Sequence, residues 1–138
     1  GVDMRLLLAG HILGAAMIEM RCEGRILLFS GDLGRPNDLV MQPPACVEHA
    51  DFLVIESTYG NRRHDVKDPL DVLADVITRT VARQGVVIIP AFAVGRAQTL
   101  LYAIHLLKIA RRIPDVPVYL NSPMAVDATN IYHRHRIE

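Results

Sequence analysis

From Asp51 onward, short apolar runs alternate with stretches whose apolar residues recur every three or four positions, and this alternation constrains the fold more than any other feature. A strand followed by a crossover helix returns to its sheet as a parallel neighbour, so the pattern predicts an α/β arrangement with a parallel sheet. Residues 52–56 read as a strand ending in an acid. Asp68-Pro69 then opens a helix, with Asp68 as cap, Pro69 at the first helical position, and Leu70, Leu73, Ile77 and Val81 on one face. Gly85 is expected to close it in the left-handed conformation. Residues 86–90 predict a second strand, 95–112 a helix buried through Leu100, Leu101, Ile104 and Leu107, and 117–120 a third strand. Ser122-Pro123 caps a last helix.

The first third has a different rhythm. Residues 4–9 form an apolar run, and in 15–21 Glu19 and Arg21 alternate with Ile18 and Met20, which predicts a strand with one wet face. Glu23-Gly24 is turn chemistry, so this strand and residues 25–30 predict a hairpin. The segment from Ser30 to Asp38 breaks all periodicity and reads as a loop. The change of style places a boundary within residues 59–69.

At 138 residues the chain has length for one ordinary domain or two incomplete ones, and 51% hydrophobic with 22% charged residues excludes disorder. Fifteen basic residues balance fifteen acidic ones, so no overall charge announces a polyanionic partner, although a local site can still bind one. Cys22 and Cys46 are too few for a disulfide framework and read as buried or idle thiols, which makes a cytoplasmic location the expectation. No apolar run approaches the roughly 18 residues of a spanning helix, so no membrane partner is expected.

Three polar groups stand at the ends of apolar runs: His11 after Ala9-Gly10, Asp32 after Ser30-Gly31, and Glu56 after Val54-Ile55. A rigid sheet can hold such side chains in fixed geometry, and imidazole plus carboxylate is a reasonable start for a zinc site. Each also has a plainer role as turn residue or cap.

Taken together, the strings Ala-Gly-His-Ile-Leu-Gly-Ala-Ala, Phe-Ser-Gly-Asp-Leu-Gly-Arg, Glu-Ser-Thr-Tyr-Gly-Asn and Ile-Pro-Ala-Phe-Ala-Val-Gly-Arg-Ala-Gln closely resemble the β-CASP branch of the metallo-β-lactamase superfamily, from about Leu7 to about Ala128. The resemblance implies that residues 1–61 are the later strands of a metallo-β-lactamase αββα sandwich and 62–138 the first half of a parallel-sheet β-CASP domain. It implies a zinc-dependent nuclease that hydrolyses RNA, with DNA the less expected substrate, and two Zn2+ ions in the complete protein. By resemblance His11 is a zinc ligand, Asp32 the carboxylate bridging both ions, and Glu56 an acid supporting a histidine near the metals; Asp32 and Glu56 are the catalytic candidates. The superfamily signature His-x-His-x-Asp-His is absent from this sequence, and its nearest lookalike, His133-Arg134-His135, falls in an expected helix where residues two apart do not share a face. The chain is therefore expected to be an internal fragment, inactive by itself and at best a weak metal binder, with any oligomer formed through the complete protein. Rival readings are a non-catalytic β-CASP scaffold and a small-molecule metallo-hydrolase of the same superfamily.

Four further residues are candidates for substrate contact. Gly95 and Arg96 stand where an expected helix N-terminus with free amides could take a phosphate, or where glycine merely allows the turn. Ser122 could touch phosphate, though capping accounts for it. Tyr59 belongs with Asn61, Arg62, Arg63 and His64 to a polar, basic segment that could line a substrate channel or form a wet linker.

Overall fold

The computed structural model describes residues 1–63 and 66–135; His64, Asp65 and residues 136–138 lie outside the described residues. The chain divides into two compact units, Gly1–Arg62 and Arg63–Glu138.

The first unit is a four-stranded sheet in the order β1-β2-β3-β4, with β1 Val2–Leu8, β2 Ala16–Cys22, β3 Arg25–Phe29 and β4 Phe52–Val54. The first three strands are antiparallel and β4 runs parallel to β3. Glu23 and Gly24 both take positive φ, 50° and 74°, the two-residue turn whose twist matches a tight hairpin, so the expected β2–β3 hairpin forms.

The face expected to be wet is not. Glu19 is only 2% exposed: its two carboxylate oxygens accept from Arg5 of the neighbouring strand at 2.7 Å and from Arg21 at 2.9 Å. A buried carboxylate is tolerated when both oxygens are paired, and here the arginines take the solvent in its place. Farther along the same face Leu7, Met17 and Leu28 pack with Ala9, Leu33, Ala45 and Val47, so the loops after β1 and β3 close over it. On the opposite face Val2, Met4 and Leu6 of β1 remain open to solvent.

The second unit comprises α1 Pro69–Ala82, α2 Arg96–Ile109 and α3 Pro123–Arg134. Asp68 caps α1, accepting from the Leu70 amide at 2.8 Å, and Ser122 caps α3, accepting from Ala125. Ala74, Ile77, Ile104, Leu107 and Ile113 form the core, with Leu70, Leu73, Val81, Val87 and Val116 against it. Leu100 and Leu101 are half-buried, whereas the small residues Ala97 and Ala103 are buried.

Two expectations fail here. Residues 86–90 and 117–120 pair with no neighbour, so no described residue of this unit belongs to a strand. Val87 of the first segment and Val116, just before the second, pack against the core, while Val86, Ile88 and Tyr119 are more than four-fifths exposed; a strand is defined by its ladder, and apolar pattern alone does not supply one. The left-handed residue closing α1 is Gln84, φ 57°, not Gly85. The Gln84 amide donates to Val81 and the Gly85 amide to Thr80, which is the Schellman arrangement. Gly85 is required for space, since a Cβ there would lie 2.9 Å from the Thr80 methyl.

Candidate active site

His11, Asp32, Glu56 and Tyr59 all belong to the first unit, each on a loop leaving the sheet. Two backbone contacts tie the first loops together. The Gly34 amide donates to the Ala9 carbonyl at 2.8 Å, bringing the Asp32 loop against the chain just before His11. The approach is so close that a Cβ on Gly34 would lie 1.8 Å from the Gly10 carbonyl oxygen and 2.8 Å from the His11 amide nitrogen. Gly10 itself has φ 70° and is hemmed by Gln42 and Pro44, so glycine is demanded on both sides of the crossing.

Glu56 makes the second tie. One carboxylate oxygen accepts from the Leu33 amide at 2.9 Å and the other from the Thr58 amide at 3.2 Å, while its own amide donates to the Ser30 hydroxyl at 3.0 Å. The Leu33 amide first, then Thr58, hold its carboxyl below the usual carboxylate range against the opposing effect of burial, and His11 adds a smaller contribution through its charge. Glu56 is thus a clamp between the Asp32 loop and the turn after β4. Ser30, 2% exposed, was not singled out by sequence reasoning; its hydroxyl accepts from Glu56 and donates to the Gly31 carbonyl at 2.7 Å. The available signal was its position directly before Gly31-Asp32.

His11 and Asp32 are exposed, and neither side chain is spent in a hydrogen bond among the described residues. An imidazole and a carboxylate are donor types that zinc accepts, so these two fit as part of a metal shell. Among the described residues no group of three or more His, Cys, Asp or Glu comes together, so they do not complete one.

Gly95, Arg96 and Ser122 lie in the second unit. Gly95, φ 82°, is the cap of α2, but the amides expected to be free are taken: that of Gly95 by the Gln98 side-chain oxygen at 2.7 Å, those of Arg96 and Ala97 by the Val94 and Phe92 carbonyls at 3.2 Å. An anion there would be met by the exposed Arg96 guanidinium in place of the backbone. Ser122 spends its oxygen on the α3 cap. In this unit the sequence reading missed Gln98, 4% exposed, whose amide nitrogen donates to Ala93 at 3.1 Å and Thr129 at 2.9 Å and so joins the turn before α2 to α3. His133 and Arg134 end α3 and His135 caps it.

Comparison with known proteins gives a consistent relationship. The Beta-Casp domain family matches residues 97–138. The chain is 38% identical over 127 residues to a ribonuclease of Thermus thermophilus, covering 91% of this chain and 29% of the relative. It is 35% identical over 135 residues to an RNase J-like protein of Methanocaldococcus jannaschii, covering 90% and 30%, and 35% identical over 140 residues to the cleavage and polyadenylation specificity factor subunit 3-I of Arabidopsis thaliana, covering 98% and 20%. The chain thus spans less than a third of the length of these relatives.

Proposed function

The chain belongs to the β-CASP metallo-β-lactamase family, and from that premise we propose that it is part of a zinc-dependent nuclease that hydrolyses RNA phosphodiester bonds. Residues 1–61 would contribute to the metallo-β-lactamase domain and 62–138 to the β-CASP domain. The observation that supports this reading is the tying of three loops at one end of the sheet: the Gly34–Ala9 and Leu33–Glu56 hydrogen bonds hold the loop of Asp32 against the chain just before His11 and against Glu56.

His11 and Asp32 would supply two of the ligands of a zinc pair, the others coming from parts of the longer protein, and bound zinc would supply a Lewis acid and lower the pKa of water. Glu56, its carboxyl held below the usual range, ties the backbone next to Asp32 and so limits where that loop can place its carboxylate. Within the second unit, Arg96 would offer an exposed guanidinium to a phosphate. In this reading the 138-residue chain by itself is inactive and binds zinc weakly, because the remaining ligands would come from other parts of the longer protein.

The test is cleavage of an end-labelled single-stranded RNA by the full-length protein, compared with Asp32→Asn and His11→Ala. Both substitutions should abolish cleavage and lower the zinc content measured by elemental analysis. RNA left intact by the unaltered, zinc-loaded protein overturns the proposal. Two tight zinc sites in a titration of the 138-residue chain would overturn the claim that it is incomplete.

A further inference from the structure

We propose that Tyr59 and Arg62 form a stacking platform for one unpaired nucleobase, so that the substrate is engaged as a single strand beside the loop that carries Asp32. The inference rests on the nuclease reading and adds to it the surface that would take the base.

Tyr59 has φ 61°, a conformation that a bulky side chain adopts only when its surroundings insist. A turn needing that geometry is ordinarily served by Gly or Asn. No burial repays the exception, because Tyr59 is 61% exposed. The turn is nevertheless held on both sides: the Gly60 amide donates to Ser57 and the Arg62 amide to Tyr59, each at 2.9 Å. The ring is thus fixed at its base and left open to solvent. The Arg62 guanidinium carbon sits 5.7 Å from the ring centroid, in cation–π range. A rigid exposed aromatic with an arginine on it is what single-stranded nucleic-acid sites use, the ring stacking a base without regard to its identity and the cation attracting the neighbouring phosphate.

Glu56 puts this platform in register with the candidate site. Its two carboxylate oxygens hold the Leu33 and Thr58 amides; Asp32 directly precedes the first donor and Tyr59 directly follows the second. A base seated on Tyr59 would therefore belong to a nucleotide close to Asp32. In a duplex that base face is covered by its stacked neighbours, so the platform selects unpaired strands.

The decisive variant is Tyr59→Gly. Glycine is at ease at positive φ, so the turn and the fold should be kept, whereas a purely structural tyrosine predicts no loss of binding. With the full-length protein and a single-stranded RNA oligonucleotide, Tyr59→Gly should weaken Kd and raise KM by about 5- to 150-fold, the range of one lost base stack. Tyr59→Phe, which keeps the ring, should rescue binding. In the unaltered protein an abasic nucleotide scanned through the RNA should reproduce the loss at one position, and 2-aminopurine there should be quenched on binding. Equal affinity of the glycine variant and the unaltered protein, or tolerance of an abasic nucleotide at every position, overturns the platform while leaving the nuclease reading intact. If the glycine variant fails to fold, the two substrate-side measurements decide. An unaltered protein that neither binds nor cuts RNA overturns both proposals.

Discussion

Replacing Gly34 with alanine tests how the candidate site is built. The new methyl carbon would stand 1.8 Å from the Gly10 carbonyl oxygen, whereas ordinary contact begins near 3.4 Å, so the two loops must part by about 1.6 Å. Gly10 cannot simply recoil, because Gln42 and Pro44 already crowd it. Parting the loops breaks the 2.8 Å bond from the Gly34 amide to the Ala9 carbonyl, in a place where Ala9 is 1% exposed. A buried polar group left unpaired costs about 1–3 kcal/mol, and forced displacement in a packed region about as much again, giving about 2–6 kcal/mol. Domains are stable by roughly 5–15 kcal/mol, so much of the margin goes. Urea unfolding followed by circular dichroism should show a lower midpoint with little change in slope, and amide NMR should show the largest shifts at Ala9, Gly10 and His11. A variant within about 0.5 kcal/mol of the parent, the range of an inconsequential surface change, would mean that this crossing does not fix the position of His11.

The remaining predictions concern stability and pH. Leu107, 1% exposed in the helical core, should lose about 2–5 kcal/mol on truncation to alanine, read from the denaturation midpoint of the second unit. Gln98→Leu should cost about 1–3 kcal/mol by stranding the Gly95 amide, and hydrogen exchange should quicken at Gly95. Gln84→Gly should stabilise by up to about 1 kcal/mol, because φ 57° suits glycine better than glutamine. The carboxyls of Glu19, through Arg5 and then Arg21, and of Glu56, chiefly through the Leu33 amide, are held below the usual range. Their contribution is therefore fully present above the unfolded carboxylate value of about 4.3 and lost as pH falls through the lower folded values. The unfolding midpoint should fall as the pH drops below that value, less steeply in Glu19→Gln; identical slopes would refute the role of the Arg5–Glu19–Arg21 cluster.

What could be read from the sequence was local. Asp68-Pro69 and Ser122-Pro123 announce helix starts because a cap acts within its own first turn, and Glu23-Gly24 announces the hairpin because the turn's backbone twist is set by those two residues. The order and spacing of His11, Asp32 and Glu56 were legible as motifs. Their convergence was not, since it depends on Gly34 meeting Gly10 across 24 residues of chain and on one carboxylate bonding two separate loops. Strand pairing is likewise a relation between distant segments, and residues 86–90 carry strand-like pattern without a ladder partner among the described residues. Alternation told which side chains of β2 share a face, but not that two arginines would enclose Glu19 there. The sequence by itself determined where the capped helices start and where the hairpin turns, because caps and tight turns act over a few residues. Only the tertiary structure decided which loops touch, because a contact between distant segments depends on geometry that no single segment contains.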